Sequence, residues 1–155
     1  MHSIEDFGRD IEPTLIQVRN ELINENNFEL RHGEDGISSQ PTGDQTLYIL
    51  NSPTIYFLED NVDKVRTAFE SHLIPLGVTV TVDEQMTDNE GKLTWIIARN
   101  PTYGISASAY IRDSKRSSFD YGTELLSSDG STDDPQQLAD IPGRRPDWLI
   151  PTPTT

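Results

Sequence analysis

Twenty-six acidic side chains, three histidines and no cysteine define the chemistry open to this 155-residue chain. Without cysteine there are no disulfides, thiolate metal sites or thiol nucleophiles. His2, His32 and His72 stand far apart, and none has a histidine or carboxylate at a recognised metal spacing. Asp83, Glu84, Asp88 and Glu90 gather between two alternating runs, as the oxygen ligands of a calcium loop would. They lack the alternating ligands and closing glutamate of an EF-hand, and a solvated hairpin tip accounts for them. No Gly-x-Ser-x-Gly elbow, phosphate-binding loop or dinucleotide fingerprint occurs. Nothing in the pattern selects two acids for general acid–base work. The expectation is a chain with no catalytic residue, no metal and no cofactor.

Charge points instead to binding. The net charge is −14, with twelve acidic and three basic side chains in residues 1–60. Residues 61–112 carry six against five and are nearly neutral. Such a polyanion repels nucleic-acid phosphates and anionic lipid, whereas a basic protein partner suits it. The basic doublets Lys115-Arg116 and Arg144-Arg145 are too sparse for a nucleic-acid surface. Candidate protein-binding residues are Glu34, Asp35 and Asp44, in a polar loop over residues 32–45, and Trp148, in the apolar island Trp148-Leu149-Ile150. Tyr48, Tyr56, Phe57, Trp95, Tyr103 and Tyr110 fall mostly on predicted strands, where core packing and cross-strand pairing explain them.

The elements that must position these residues are legible from periodicity. Ile4, Phe7, Ile11, Leu15, Val18 and Leu22 recur every three or four residues, a helical stripe. Ser3 and Asp6 suit an N-terminal cap, and Pro13 suits the first turn of a second helical piece over residues 13–24. Residues 28–31, 46–50 and 54–58 read as strands, with residues 38–44 as loop between the first two. Asp60 or Asn61 caps a helix with apolar residues Val62, Val65, Phe69 and Leu73, which Pro75 stops. Three alternating runs follow, separated by turn residues at 88–92 and 100–104, and residues 119–126 can add an edge strand. The reading is an α+β domain over residues 1–126, an antiparallel sheet of about five strands with two helices packed on one face. Ser, Asp, Gly and Pro dominate residues 127–155, which predicts a mobile, extended tail.

No run reaches the roughly 18 to 20 apolar residues of a membrane helix, and Met1-His2-Ser3 lacks the basic and apolar regions of a signal peptide. The order of elements, with a helix beginning Asp60-Asn61-Val62-Asp63-Lys64-Val65 and then PLGVTVTVDE, GKLTWIIARNP and YGISASAYIRD, resembles the small uncharacterised cell-envelope lipoproteins of actinobacteria, the LppA-like group among them. The resemblance covers roughly residues 10–126. It implies a non-catalytic extracytoplasmic or cell-envelope domain that acts by binding; without a removed leader, the location would be the cytoplasm. The chain lacks the lipobox cysteine of that group. The charge supports an alternative, an acidic immunity or inhibitor protein that neutralises a basic toxin or enzyme.

Overall fold

In the computed structural model the described residues are 3–33, 36–87, 91–112, 116–137, 146 and 148. The first helical stripe splits in two. Helix α1 spans Ile4–Asp10 and begins with a full capping box: Ser3 Oγ accepts the Asp6 N–H at 3.0 Å, and the Ser3 N–H donates to Asp6 Oδ2 at 3.1 Å. Helix α2 spans Glu12–Leu22 and carries its proline in the first turn, where the missing N–H costs nothing. The Asn27 side chain closes it by donating to the Leu22 carbonyl at 2.8 Å. Helix α3 spans Val62–Leu73, with Asn61 Oδ1 accepting the Lys64 N–H at 3.2 Å. Pro75 lies in a short 3-10 turn, and Gly77 reverses the chain at φ 79°, where a side chain would be strained.

Eight strands follow in chain order: β1 Phe28–His32, β2 Gly36–Thr42, β3 Gln45–Asn51, β4 Thr54–Leu58, β5 Thr79–Thr87, β6 Gly91–Asn100, β7 Gly104–Arg112 and β8 Arg116–Tyr121. Six form one antiparallel sheet in the order β1-β4-β8-β7-β6-β5, and β2 pairs with β3 in a separate hairpin. The α+β class holds, with three helices and more strands than the five expected. Two elements correct the sequence reading. Residues 38–44 are not all loop: residues up to Thr42 belong to β2, which pairs with β3 over seven residues. Only Ile37 in it is buried, so the strand has almost no apolar alternation to detect, and its Pro41 is tolerated because the hairpin leaves β2 unpaired on one side. The strand expected at an edge over residues 119–126 is β8, and it sits inside the sheet between β4 and β7. Residues 122–126 leave the sheet and strap onto β3, with Tyr48 and Leu126 exchanging two backbone bonds of 2.7 Å.

The core lies between one sheet face and the helices. Phe57, Ile96, Ala107, Ala109, Ile111 and Phe119 meet Leu15, Val18, Leu22, Val65, Phe69 and Leu73 in one buried cluster. The Phe69 and Phe119 rings meet edge to face at 5.9 Å, and Phe7 meets Tyr103 at 5.4 Å. Small Ala107 and Ala109 leave room for the helices to come close. Residues 127–132 continue along α1, where the Ile4 N–H donates to the Ser127 carbonyl at 2.9 Å, and Gln136 Nε2 then donates to the Ile37 carbonyl of β2 at 3.4 Å. Glu5 accepts from Ser128 Oγ, Thr132 Oγ1 and the Asp129 N–H. No helix among the described residues is long and apolar enough to cross a membrane.

Candidate functional site

Strand alternation gives the sheet a second face, turned away from the helices. Phe57, Phe119, Ala109 and Ile96 face the core, so Tyr56, Ser118, Tyr110 and Trp95 face outward. The register aligns these four across neighbouring strands in one row, which ends at Asp83 on β5. A second row holds Leu58, Arg116, Arg112, Leu93 and Gln85. A third, on the other side of the aromatic row, holds Asp120, Ser108, Ile97 and Thr81. The result is a surface of partly exposed rings flanked by guanidinium groups on one side and hydroxyls on the other.

The side chains of this face hold one another in place. Trp95 and Tyr110 stack with centroids 5.3 Å apart and planes 8° from parallel. The Arg112 guanidinium lies 6.0 Å from the Tyr110 ring, and that of Arg116 lies 5.2 Å from the Tyr56 ring. Arg112 Nη1 donates to the Arg116 carbonyl at 3.3 Å, and Arg116 also reaches Glu29 at 3.4 Å. Asp120 accepts from Ser108 at 2.9 Å and from Thr54 at 3.3 Å, which fixes the hydroxyl row. Leu58 is half exposed at the end of the arginine row. These contacts brace the side chains of this face against one another.

Elsewhere the polar side chains serve the fold. Glu12 is fully buried and accepts the Tyr121 hydroxyl at 2.7 Å, joining α2 to β8. Arg19 of α2 is buried, and its guanidinium donates to Asn20 Oδ1 through Nη2 at 2.9 Å. Burial pushes the Glu5 carboxyl up, but the hydrogen bonds from Ser128, Asp129 and Thr132 outweigh it, and the group titrates below the ordinary glutamate range. His72 pairs with Glu21 at 2.9 Å beside an open groove between α2 and α3. Among the described residues no three His, Asp or Glu side chains converge as a metal site.

Those of the singled-out residues that are described fall on separate elements. Glu34 and Asp35 lie outside the described residues. Asp44 is exposed in the β2–β3 turn. Trp148 is partly buried and packs its ring on Phe28, at the β1 edge, with centroids 5.3 Å apart. Of the carboxylate group at the hairpin, Asp83 and Glu84 are exposed on β5, Glu84 paired with Lys92 at 3.0 Å, and Asp88 and Glu90 lie outside the described residues. Core packing does not account for Tyr56, Trp95 and Tyr110, which lie on the outward face. Cross-strand pairing of Trp95 with Tyr110 does occur. The available signal was alternation: Tyr56 lies between Ile55 and Phe57, and Tyr110 and Arg112 alternate with Ala109 and Ile111.

The model of DUF4853, a domain of unknown function, matches residues 1–134. Among solved structures, the crystal structure of a DUF4853 family protein from Actinomyces odontolyticus ATCC 17982 is similar, with a TM-score of 0.66 and 17% identity over 93% of this chain and 81% of that one. At that identity the likeness concerns the fold. Comparison with curated proteins gives no match. The matched span takes in all three helices and the whole six-stranded sheet, and the chain belongs to the DUF4853 family.

Proposed function

We propose that this protein is a non-catalytic binding domain of the cell envelope, acting outside the cytoplasm, and that its helix-free sheet face receives a protein partner. One observation carries the reading: Tyr56, Tyr110, Trp95, Arg112 and Arg116 share that face, partly exposed and mutually braced. Tyrosine, tryptophan and arginine are the residue types that dominate binding energy at protein interfaces, because they bury large area at low entropic cost. The envelope location draws on the lipoprotein-like order of elements. The alternative, an acidic inhibitor of a basic toxin or enzyme, draws on the net charge of −14 and would place the contact on the acidic surface instead.

Site-specific photocrosslinking in the source cell tests this. A photoreactive residue at Ser108, on the outward face, should give a discrete protein adduct, and the same probe at Glu70, on α3, should not. The adduct should disappear when Tyr110 and Arg112 are both replaced by alanine. An adduct from Glu70 alone would remove the outward face as the contact, and recovery of the native gene product solely from the cytosol would remove the envelope reading.

A further inference from the structure

The two edges of the six-stranded sheet are built differently. At one edge β1 has five residues, a register shift between Phe28 and Leu30, and the Trp148 ring on Phe28. A short strand, a bulge and a covering group are the devices that keep an edge from pairing with another chain. At the other edge β5 has none of these. It runs nine residues in unbroken register with β6, without proline or lysine, and among the described residues no strand pairs with its outer side. Thr81 to Met86 are exposed, with Val82 at 39% and Met86 at 78% of full accessibility.

We propose that β5 is a docking edge that takes up an extended, basic segment of a partner protein as a seventh strand. Backbone bonds along the free edge would supply affinity, and side chains alternating along β5 would supply selectivity. Val82, Glu84 and Met86 lie on the helix side of the sheet, Asp83 and Gln85 on the other. The arriving strand therefore meets apolar contacts at Val82 and Met86, and carboxylates at Asp83 and Glu84. The Glu84–Lys92 pair is solvent-exposed, so it yields readily to a competing cation. A second copy of this chain fits poorly, since both strands would bring Asp83 and Glu84 into one seam between molecules of charge −14. The inference concerns the edge of the sheet, and it stands whether or not the outward face binds.

The probe is a blocked octapeptide of alternating valine and lysine, compared with a twin N-methylated at alternate residues. The twin keeps every charge but cannot donate along one edge. Titration of the full chain, followed by amide chemical shifts and hydrogen exchange, should show the plain peptide protecting β5 amides. The twin should bind at least tenfold more weakly. Reversing both acids, Asp83→Lys with Glu84→Lys, should weaken the plain peptide at least tenfold, and added salt should weaken it too. Thr81→Pro and Val82→Pro form a matched pair, because adjacent strand residues point their N–H groups to opposite sides. The variant whose N–H points outward should keep its thermal midpoint and lose the peptide; should both variants unfold, the methylated twin still decides. Equal binding of the two peptides, protection centred away from β5, no binding at all, or a concentration-dependent dimer joined through β5 would each overturn the proposal.

Discussion

Thr94 and Tyr121 each bury a hydroxyl, and removing the two should have opposite effects. Thr94 is 1% exposed on the core face of β6, and its Oγ1 has no hydrogen-bond partner among the described residues. A buried polar group without a partner costs about 1–3 kcal/mol. Thr94→Val keeps the branched shape β6 needs while removing that cost, so it should stabilise the fold by about 1 kcal/mol. The check is a higher urea midpoint at unchanged slope. Tyr121 is the converse case, because its hydroxyl donates to buried Glu12 at 2.7 Å. Tyr121→Phe leaves that acceptor short of a donor and should cost about 2 kcal/mol in the same experiment. Alternation puts Thr94, Ile96 and Ala98 on one side of β6 and the bulkier Leu93, Trp95 and Ile97 on the other. Bulk alone points the wrong way here. The small side of β6 faces inward because Ala107, Ala109 and Ile111 of β7 share it, and helices pack against that side.

Elements with strong periodicity were legible, and those held by pairing alone were not. The helix over Val62–Leu73 and the three meander strands follow from an apolar stripe, strict alternation and explicit turn residues. For β2 the order comes from β3, since its exposed polar residues contribute little burial of their own. The place of β8 depends on a crossover: α3 carries the chain from β4 to the far edge, and the meander then returns until β8 meets β4. Strand order of this kind leaves no local pattern, so the outward row of Tyr56, Tyr110 and Trp95 could not be assembled from sequence. Gly122 marks the point where the chain leaves β8 to strap onto β3. A Cβ there would lie 2.7 Å from the Leu50 carbonyl oxygen, a backbone atom that cannot swing aside. Gly122→Ala should therefore destabilise the protein by about 1–3 kcal/mol. It should also speed hydrogen exchange at the Tyr48 and Leu126 amides, whose mutual bonds secure the strap, more than at β6 amides.

Across the whole molecule, the first helix and the last described segment close the fold together, and one carboxylate joins them. Ser3 bridges to Ser127, the Ile4 N–H bonds the Ser127 carbonyl, and Glu5 accepts from Ser128, Asp129 and Thr132. Asp6 and Asp129 also titrate below their ordinary values, Asp6 chiefly through the Ser3 N–H and Asp129 through Ser131. Arg9 lies beside Asp6, paired at 2.7 Å. A carboxylate whose pKa is lower in the folded state stabilises that state above its unfolded pKa, and this support is lost as pH falls through the folded value. The strap over residues 127–132 should accordingly be tight at neutral pH and loosen in acid, below the usual carboxylate range, ahead of the helix–sheet core. The Asp129 amide, which donates to Glu5 at 3.0 Å, is the reporter. Its chemical shift and exchange protection should change with pH while β6 amides hold. Glu5→Gln separates this carboxylate from its neighbours: it should weaken protection at neutral pH and flatten the acid transition at Asp129. An Asp129 amide that titrates alike in both proteins would assign the acid response to Asp6 and Asp129, leaving Glu5 as an acceptor whose charge does not govern how the two ends of the fold are held.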